Sequence, residues 1–87
     1  MKHELKTDQL TFLHSFAGTK PWEIRLNDKD FRVGDILLLR ETVYSGQEMK
    51  DGKPLEYTGR ELMRRIDYIL DGYGLNENLV VMTVSKF

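Results

Sequence analysis

Three charged residues at close spacing are the strongest candidates for chemistry in this chain: Lys20, Glu23 and Arg25. Side chains alternate faces along an extended strand, so Glu23 and Arg25 project from the same face. Lysine and arginine bind phosphate, and a carboxylate accepts hydrogen bonds from base amines. The trio therefore predicts a site for a polar or anionic ligand. The alternative is a set of ordinary exposed strand residues with cross-strand ion pairs.

Such a site could be extended by four residues from the later part of the chain: Arg40, Tyr57, Arg60 and Arg64. Arginines that face the same cleft as Arg25 would form a basic strip, whereas elsewhere they would form a solvated charged face. Tyr57 and Trp22 are both able to stack on a base. Trp22, however, shares its strand face with Ile24 and Leu26, which predicts a place in the core.

Other kinds of chemistry find little support in the sequence. The chain has no cysteine, which excludes disulfides and thiol chemistry, and its two histidines, His3 and His14, lack the spacing of a metal site. We therefore expect no metal, no cofactor and no catalytic residue. A carboxylate beside Lys20 favours the charged form of its amine, whereas base catalysis needs the neutral form, so the residues favour binding over catalysis.

Length and composition indicate one folded domain over residues 1–87. The chain is 40% hydrophobic and 31% charged, which is typical of a globular domain rather than a disordered segment. Its net charge of −1 argues against nucleic-acid binding through bulk basic charge and leaves two routes: a local patch, or recognition of a small piece such as a nucleotide or a single-stranded end. The N-terminus has no apolar signal core and the run Ile36–Leu39 is too short for a membrane span, so we expect a cytoplasmic protein.

One helix is predicted near the N-terminus. It begins at Asp8, where Thr7 or Asp8 can cap the first free N–H groups, and it ends at Gly18. Its apolar residues recur at helical spacing and predict an apolar face of Leu10, Leu13, Phe16 and Ala17, and Phe12 pairs with Phe16 at i,i+4.

Strands make up most of the remaining chain. Strand patterns cover His3–Lys6, where the pattern is short and weak, Trp22–Asn27, Ile36–Tyr44 and Leu79–Val84. The continuous apolar start of the third predicts a central strand buried on both faces. Ser45–Pro54 reads as the tip of a hairpin and Tyr57–Arg60 as a turn, while Glu61–Leu70 fits a helix or a strand, with β-rich flanks favouring the strand. The pattern predicts an α+β, mainly β fold: a small, partly closed barrel with a helix over an opening.

An ordered set of motifs accompanies the trio. They run Gly18-x-Lys20-x-x-Glu23-x-Arg25, Asn27-Asp28-x-x-Phe31-x-Val33-Gly34-Asp35, Leu38-x-Arg40-Glu41, Tyr57-Thr58-Gly59-Arg60 and Tyr68-Ile69-Leu70-Asp71-Gly72. Together, from His3 to Val84, they resemble the ASCH domain of the PUA-like superfamily. The resemblance is strongest to a branch of small bacterial and phage proteins described as a domain of unknown function.

This resemblance implies a β-barrel with a helix beside a cleft, and a Gly-x-Lys-x-x-Glu-x-Arg segment that lines the cleft. It also implies a role in binding RNA or a nucleotide. One group of ASCH relatives consists of amidohydrolases acting on acetylated cytidine, which use a lysine and a threonine of this segment. Lys20 matches the lysine, but Glu23 stands where the threonine nucleophile would be. A small enzyme acting on a nucleoside or RNA, and a protein-interaction domain using Ser45–Pro54, remain the alternatives.

Overall fold

The computed structural model of the protein describes all 87 residues as one five-stranded sheet and two helices. In chain order the elements are β1 (Lys2–Thr7), α1 (Gln9–Ala17), β2 (Trp22–Leu26), β3 (Ile36–Thr42), α2 (Gly46–Lys50), β4 (Tyr57–Leu70) and β5 (Leu79–Ser85). This confirms an α+β, mainly β fold. Neither helix is long and apolar enough to cross a membrane.

The order of strands in the sheet is β1-β3-β4-β5-β2, so β1 and β2 form its two edges. β1 runs parallel to β3, and all other neighbours are antiparallel. The sheet curls into a half-barrel, which brings the two edges towards each other. Arg25 of β2 reaches the backbone carbonyl of Lys6 on β1, but the two strands do not pair. The gap between these edges is called the seam below.

The core fills the inner face of the curled sheet. Eight buried side chains form one cluster: Leu5, Phe31, Leu37, Leu39, Ile66, Val80, Met82 and Val84. Phe31 comes from the loop between β2 and β3, and the others alternate along β1, β3, β4 and β5. Leu38, on the opposite face of β3, is also buried. The prediction of a central strand buried on both faces is therefore confirmed.

Helix α1 has the predicted ends but the opposite orientation. The Asp8 carboxylate accepts a hydrogen bond from the Thr11 amide, and Gly18 ends the helix at a φ of 83°, in the left-handed region that glycine adopts without strain. The predicted apolar face was wrong, because Leu10, Leu13 and Phe16 are exposed whereas Phe12 and Ser15 are buried.

Arg64 of β4 explains this orientation of α1. Its buried guanidinium donates a hydrogen bond of 3.1 Å to the Ser15 carbonyl, in the last turn of the helix. A cation there adds a second hydrogen bond to a carbonyl that also accepts from the Gly18 amide, and it complements the helix dipole. The helix therefore turns Ser15 and Phe12 towards the sheet, which leaves the wider apolar face in solvent.

The connection from β3 to β4 also differs from expectation. It joins two antiparallel strands, as a hairpin would, but it contains α2. Ser45 and Glu48 form a reciprocal capping box at the start of this helix, a signal that the sequence carries as Ser-x-x-Glu. The predicted turn at Tyr57–Arg60 was wrong, because β4 already begins at Tyr57 and continues through Gly59. The preference for a strand over Glu61–Leu70 is confirmed.

A buried carboxylate fixes the start of β3 against β1. Asp35 accepts hydrogen bonds from His3 Nε2 at 2.8 Å and from the Arg32 amide at 3.1 Å, and it pairs with the amine of Met1. The His3 ring packs edge-on against Phe31. The hydrogen bond from His3, aided by the Met1 amine and the Arg32 amide, lowers the pKa of Asp35 below its usual value of 3.8.

We expect Asp35→Asn to destabilise the fold in a pH-dependent way. A carboxylate with a lowered folded-state pKa stabilises the protein fully above its unfolded pKa and loses that contribution as pH falls through the folded value. The variant should therefore lose about 2 kcal/mol near pH 5, and the loss should shrink towards pH 2.5 or so. Urea unfolding of both proteins at the two pH values measures this, and a loss that stays constant or grows in acid contradicts it.

Candidate functional site

The face of β2 that carries Glu23 and Arg25 points inwards. Glu23 is only 1% exposed and lies opposite Met82 of the core, and Arg25 lies opposite Val80. The apolar face of the same strand is in solvent, with Trp22 42% and Ile24 44% exposed. The prediction that Trp22 belongs to the core was therefore wrong. The inner face of β2 borders the seam, where an ion network takes the place of a pairing strand.

Glu23 is the centre of that network. Arg25 donates two hydrogen bonds to Glu23 Oε1, from Nε at 3.1 Å and from Nη2 at 2.9 Å. The Lys20 ammonium donates to the other carboxylate oxygen and, at 3.0 Å, to the backbone carbonyl of Trp22. Both oxygens of the buried carboxylate are thus held by cations, which offsets the cost of removing its charge from water.

Arg25 also joins the two edges of the sheet. Its Nη1 donates to the Lys6 carbonyl at 3.0 Å, and its Nη2 reaches the Thr7 hydroxyl at 3.4 Å. Both acceptors lie on β1, whereas Arg25 itself lies on β2. One side chain therefore connects the unpaired edges, and an inward-pointing charge of this kind also protects an edge from pairing with other chains.

The network retains charge and donors for a ligand. Two cations share one carboxylate, so the trio carries a net charge of +1. A guanidinium has five N–H groups and Arg25 uses four of them; an ammonium has three and Lys20 uses two. Each cation thus has one N–H group free.

These side chains line an open cleft of about 280 Å³ at the seam, called the first cleft below. Its other lining residues are Lys6, Thr7, Asp8, Thr11, Trp22 and Ile24. The Lys20 ammonium lies 5.0 Å from the centre of the Trp22 ring, so a cation and a half-exposed aromatic ring stand side by side. The structure thus brings Lys20, Glu23 and Arg25 together beside one open cleft, with Glu23 itself buried.

Four of these lining residues were missed by the sequence reasoning: Lys6, Thr7, Asp8 and Thr11. They come from the end of β1 and the start of α1, so the curl of the sheet, rather than any local motif, brings them to β2. The role of Asp8 as a helix cap was the one available signal, because it fixes where β1 ends.

The other predicted site residues lie elsewhere. Arg40 stacks on the Tyr57 ring at 3.7 Å and binds Glu61 at 3.1 Å. Arg60 lies over the exposed ring of Phe16, and Arg64 is held against the end of α1. None of the four lines the first cleft, so they do not form a basic strip with Arg25. No three histidine or acidic side chains lie together in a way that could hold a metal ion.

A curled mainly β sheet with a mixed-charge cleft at its seam thus defines the class of this protein. Residues 2–84 match the model of a family described as a domain of unknown function (DUF3850), and the chain belongs to that family. A comparison with curated proteins gave no match.

We expect Glu23→Gln to destabilise the protein by about 2–3 kcal/mol, near the lower end for a broken buried ion pair, because Lys20 and Arg25 keep some contact with water. The amide keeps the size of the side chain but removes the charge that both cations share. Glu56→Gln, at an exposed site, is the matched control and should change stability by less than about 0.5 kcal/mol. Urea unfolding measures both, and a Gln variant as stable as the parent contradicts a structural role for the carboxylate.

Proposed function

We propose that this domain binds a nucleotide or a short piece of single-stranded RNA in the first cleft, without catalysing a reaction. We further propose that it is an ASCH-type member of the PUA-like superfamily. The observation that carries the proposal is the convergence of Lys20, Glu23 and Arg25 on one open cleft beside the exposed ring of Trp22. The curled sheet and the position of α1 beside the cleft are in keeping with that superfamily.

The charges of the first cleft suit a phosphate group. Its cations are Lys6, Lys20 and Arg25, and its acids are Asp8 and Glu23. Glu23 is already neutralised by two cations, and Asp8 caps α1. The Lys6 ammonium makes no ion pair or hydrogen bond with the protein and is therefore free to meet an anion. A local excess of positive charge can thus act although the whole chain is slightly acidic.

Trp22 supplies the second element of nucleotide recognition. Its ring is 42% exposed at the rim of the cleft, where an aromatic face can stack on a base of any sequence. An exposed tryptophan ring leaves apolar surface in contact with water. A ligand that covers the Trp22 ring removes that surface from water, which stabilises the complex.

Catalysis has weaker support than binding. The Lys20 ammonium donates hydrogen bonds to a carboxylate and a carbonyl, which engages it in the ion network. The residue at the position of the amidohydrolase threonine is Glu23, whose two oxygens are both engaged and which is buried. Neither residue offers a nucleophile to a substrate in the cleft.

Binding of a fluorescent single-stranded RNA oligonucleotide, measured by anisotropy, tests this proposal. We expect Lys20→Ala and Trp22→Ala each to weaken binding roughly tenfold, because one removes a phosphate contact and the other a stacking surface. The affinity for the parent protein should fall as salt is raised.

Lys50→Ala provides the matched control. It removes the same charge from α2, outside the lining of the cleft, and should leave binding unchanged. Equal loss of affinity in Lys50→Ala and Lys20→Ala, or binding that ignores Trp22→Ala, overturns the proposed site.

A further inference from the structure

A second cleft of about 310 Å³ lies along the same seam. It is lined by Leu26 at the end of β2, by Asp28, Lys29 and Phe31 of the loop that follows, and by Glu4 and Leu5 of β1. Lys6 and Arg25 line both clefts. The seam is therefore one groove with two compartments of similar size, and two cations stand at the boundary between them.

This arrangement matches the repeating unit of a single strand of nucleic acid. A dinucleotide places one negative phosphodiester between two bases, and the groove places two cations between two compartments. The boundary cations are available, because Lys6 is unpaired and Arg25 keeps one free N–H group. A mononucleotide would occupy one compartment and leave the other empty.

Carboxylates in both compartments could accept hydrogen bonds from the bases of such a ligand. Asp28 makes no hydrogen bond or ion pair with the protein, and Asp8 uses only Oδ1 for its cap. Carboxylates accept hydrogen bonds from the exocyclic amines of bases, as they do from cytosine. Each compartment thus has at least one such acceptor, which suits bases that carry an amine, and the second cleft also has Glu4, which pairs with Arg40 at 3.6 Å. These acceptors explain why a groove for a polyanion is not uniformly basic.

We propose that the unit recognised at the seam is a dinucleotide step of single-stranded RNA, with one base in each cleft and the phosphodiester between Lys6 and Arg25. This inference rests on the proposed function and adds to it the size and chemistry of the ligand. A free mononucleotide is then a poorer ligand than a dinucleotide, although it carries more charge.

Calorimetric titration with three probes tests the inference: cytidine 5′-monophosphate, the dinucleotide CpC, and CpC with a neutral methylphosphonate linkage. The monophosphate carries nearly two negative charges and CpC carries one, so charge alone favours the monophosphate. We expect CpC to bind at least about tenfold more tightly, because its second base occupies the second cleft. The neutral linkage should reduce the affinity of CpC roughly tenfold.

Two variants locate the effect. Lys6→Ala should remove most of the difference in binding affinity between CpC and its neutral analogue. Lys29→Ala should lower the ratio of the affinity for CpC to the affinity for the monophosphate. Lys2 is an exposed lysine of β1, the strand of Lys6, and lines neither cleft. Lys2→Ala should therefore change neither the relative affinity for CpC and its neutral analogue nor that for CpC and the monophosphate.

The possible failures are distinguishable. Affinity for CpC that is equal to or below that for the monophosphate, or equal to that for its neutral analogue, overturns the dinucleotide inference and leaves the nucleotide site in place. If none of the three probes binds at millimolar concentration, the proposed function fails and this inference fails with it. The comparison between ligands uses the parent protein alone, so it does not depend on the folding of any variant.

Discussion

The structure depends on one buried carboxylate, Glu23, and the two cations that hold it. Removing a carboxylate from water costs several kcal/mol, so this position is tenable only because Lys20 and Arg25 engage both of its oxygens. Arg25 can reach Glu23 and β1 together only if the sheet curls until its edges face each other. The half-barrel is therefore closed by an ion network instead of strand pairing, and the space left between the edges forms the clefts.

Much of the fold could be predicted from local patterns. Gly18 and Asp8 mark the ends of α1, the apolar run of β3 indicates a strand paired on both sides, and the β-branched residues of β5 indicate a strand. The shared face of Glu23 and Arg25 also followed from spacing, because a strand puts alternate residues on one face. Each of these features depends on residues that are close in sequence.

The errors concern which face of an element is buried, and that is decided by distant partners. In β2, alternation correctly places Trp22 and Glu23 on opposite faces. The face that points inwards is the one with Glu23, because Glu23 and Arg25 form the ion network at the seam. In α1, the Arg64 guanidinium of β4 binds the Ser15 carbonyl, so the face with Ser15 packs on the sheet and the predicted apolar face is exposed. Hydrophobic patterns assume that the larger apolar face is buried, and in a domain this small a single buried ion contact can reverse that choice.

The central claim is that the network which closes the seam is also the place where a ligand binds. Two-dimensional ¹⁵N NMR of the labelled protein, titrated with a single-stranded cytidine oligonucleotide and observing the Arg25 side-chain Nε–H, tests it most directly. The account predicts that the largest shift changes fall on Lys6, on Lys20 to Arg25 and on the Arg25 Nε–H itself. Changes that gather instead around Arg40 and Tyr57 or on α2, with Arg25 unmoved, would contradict it.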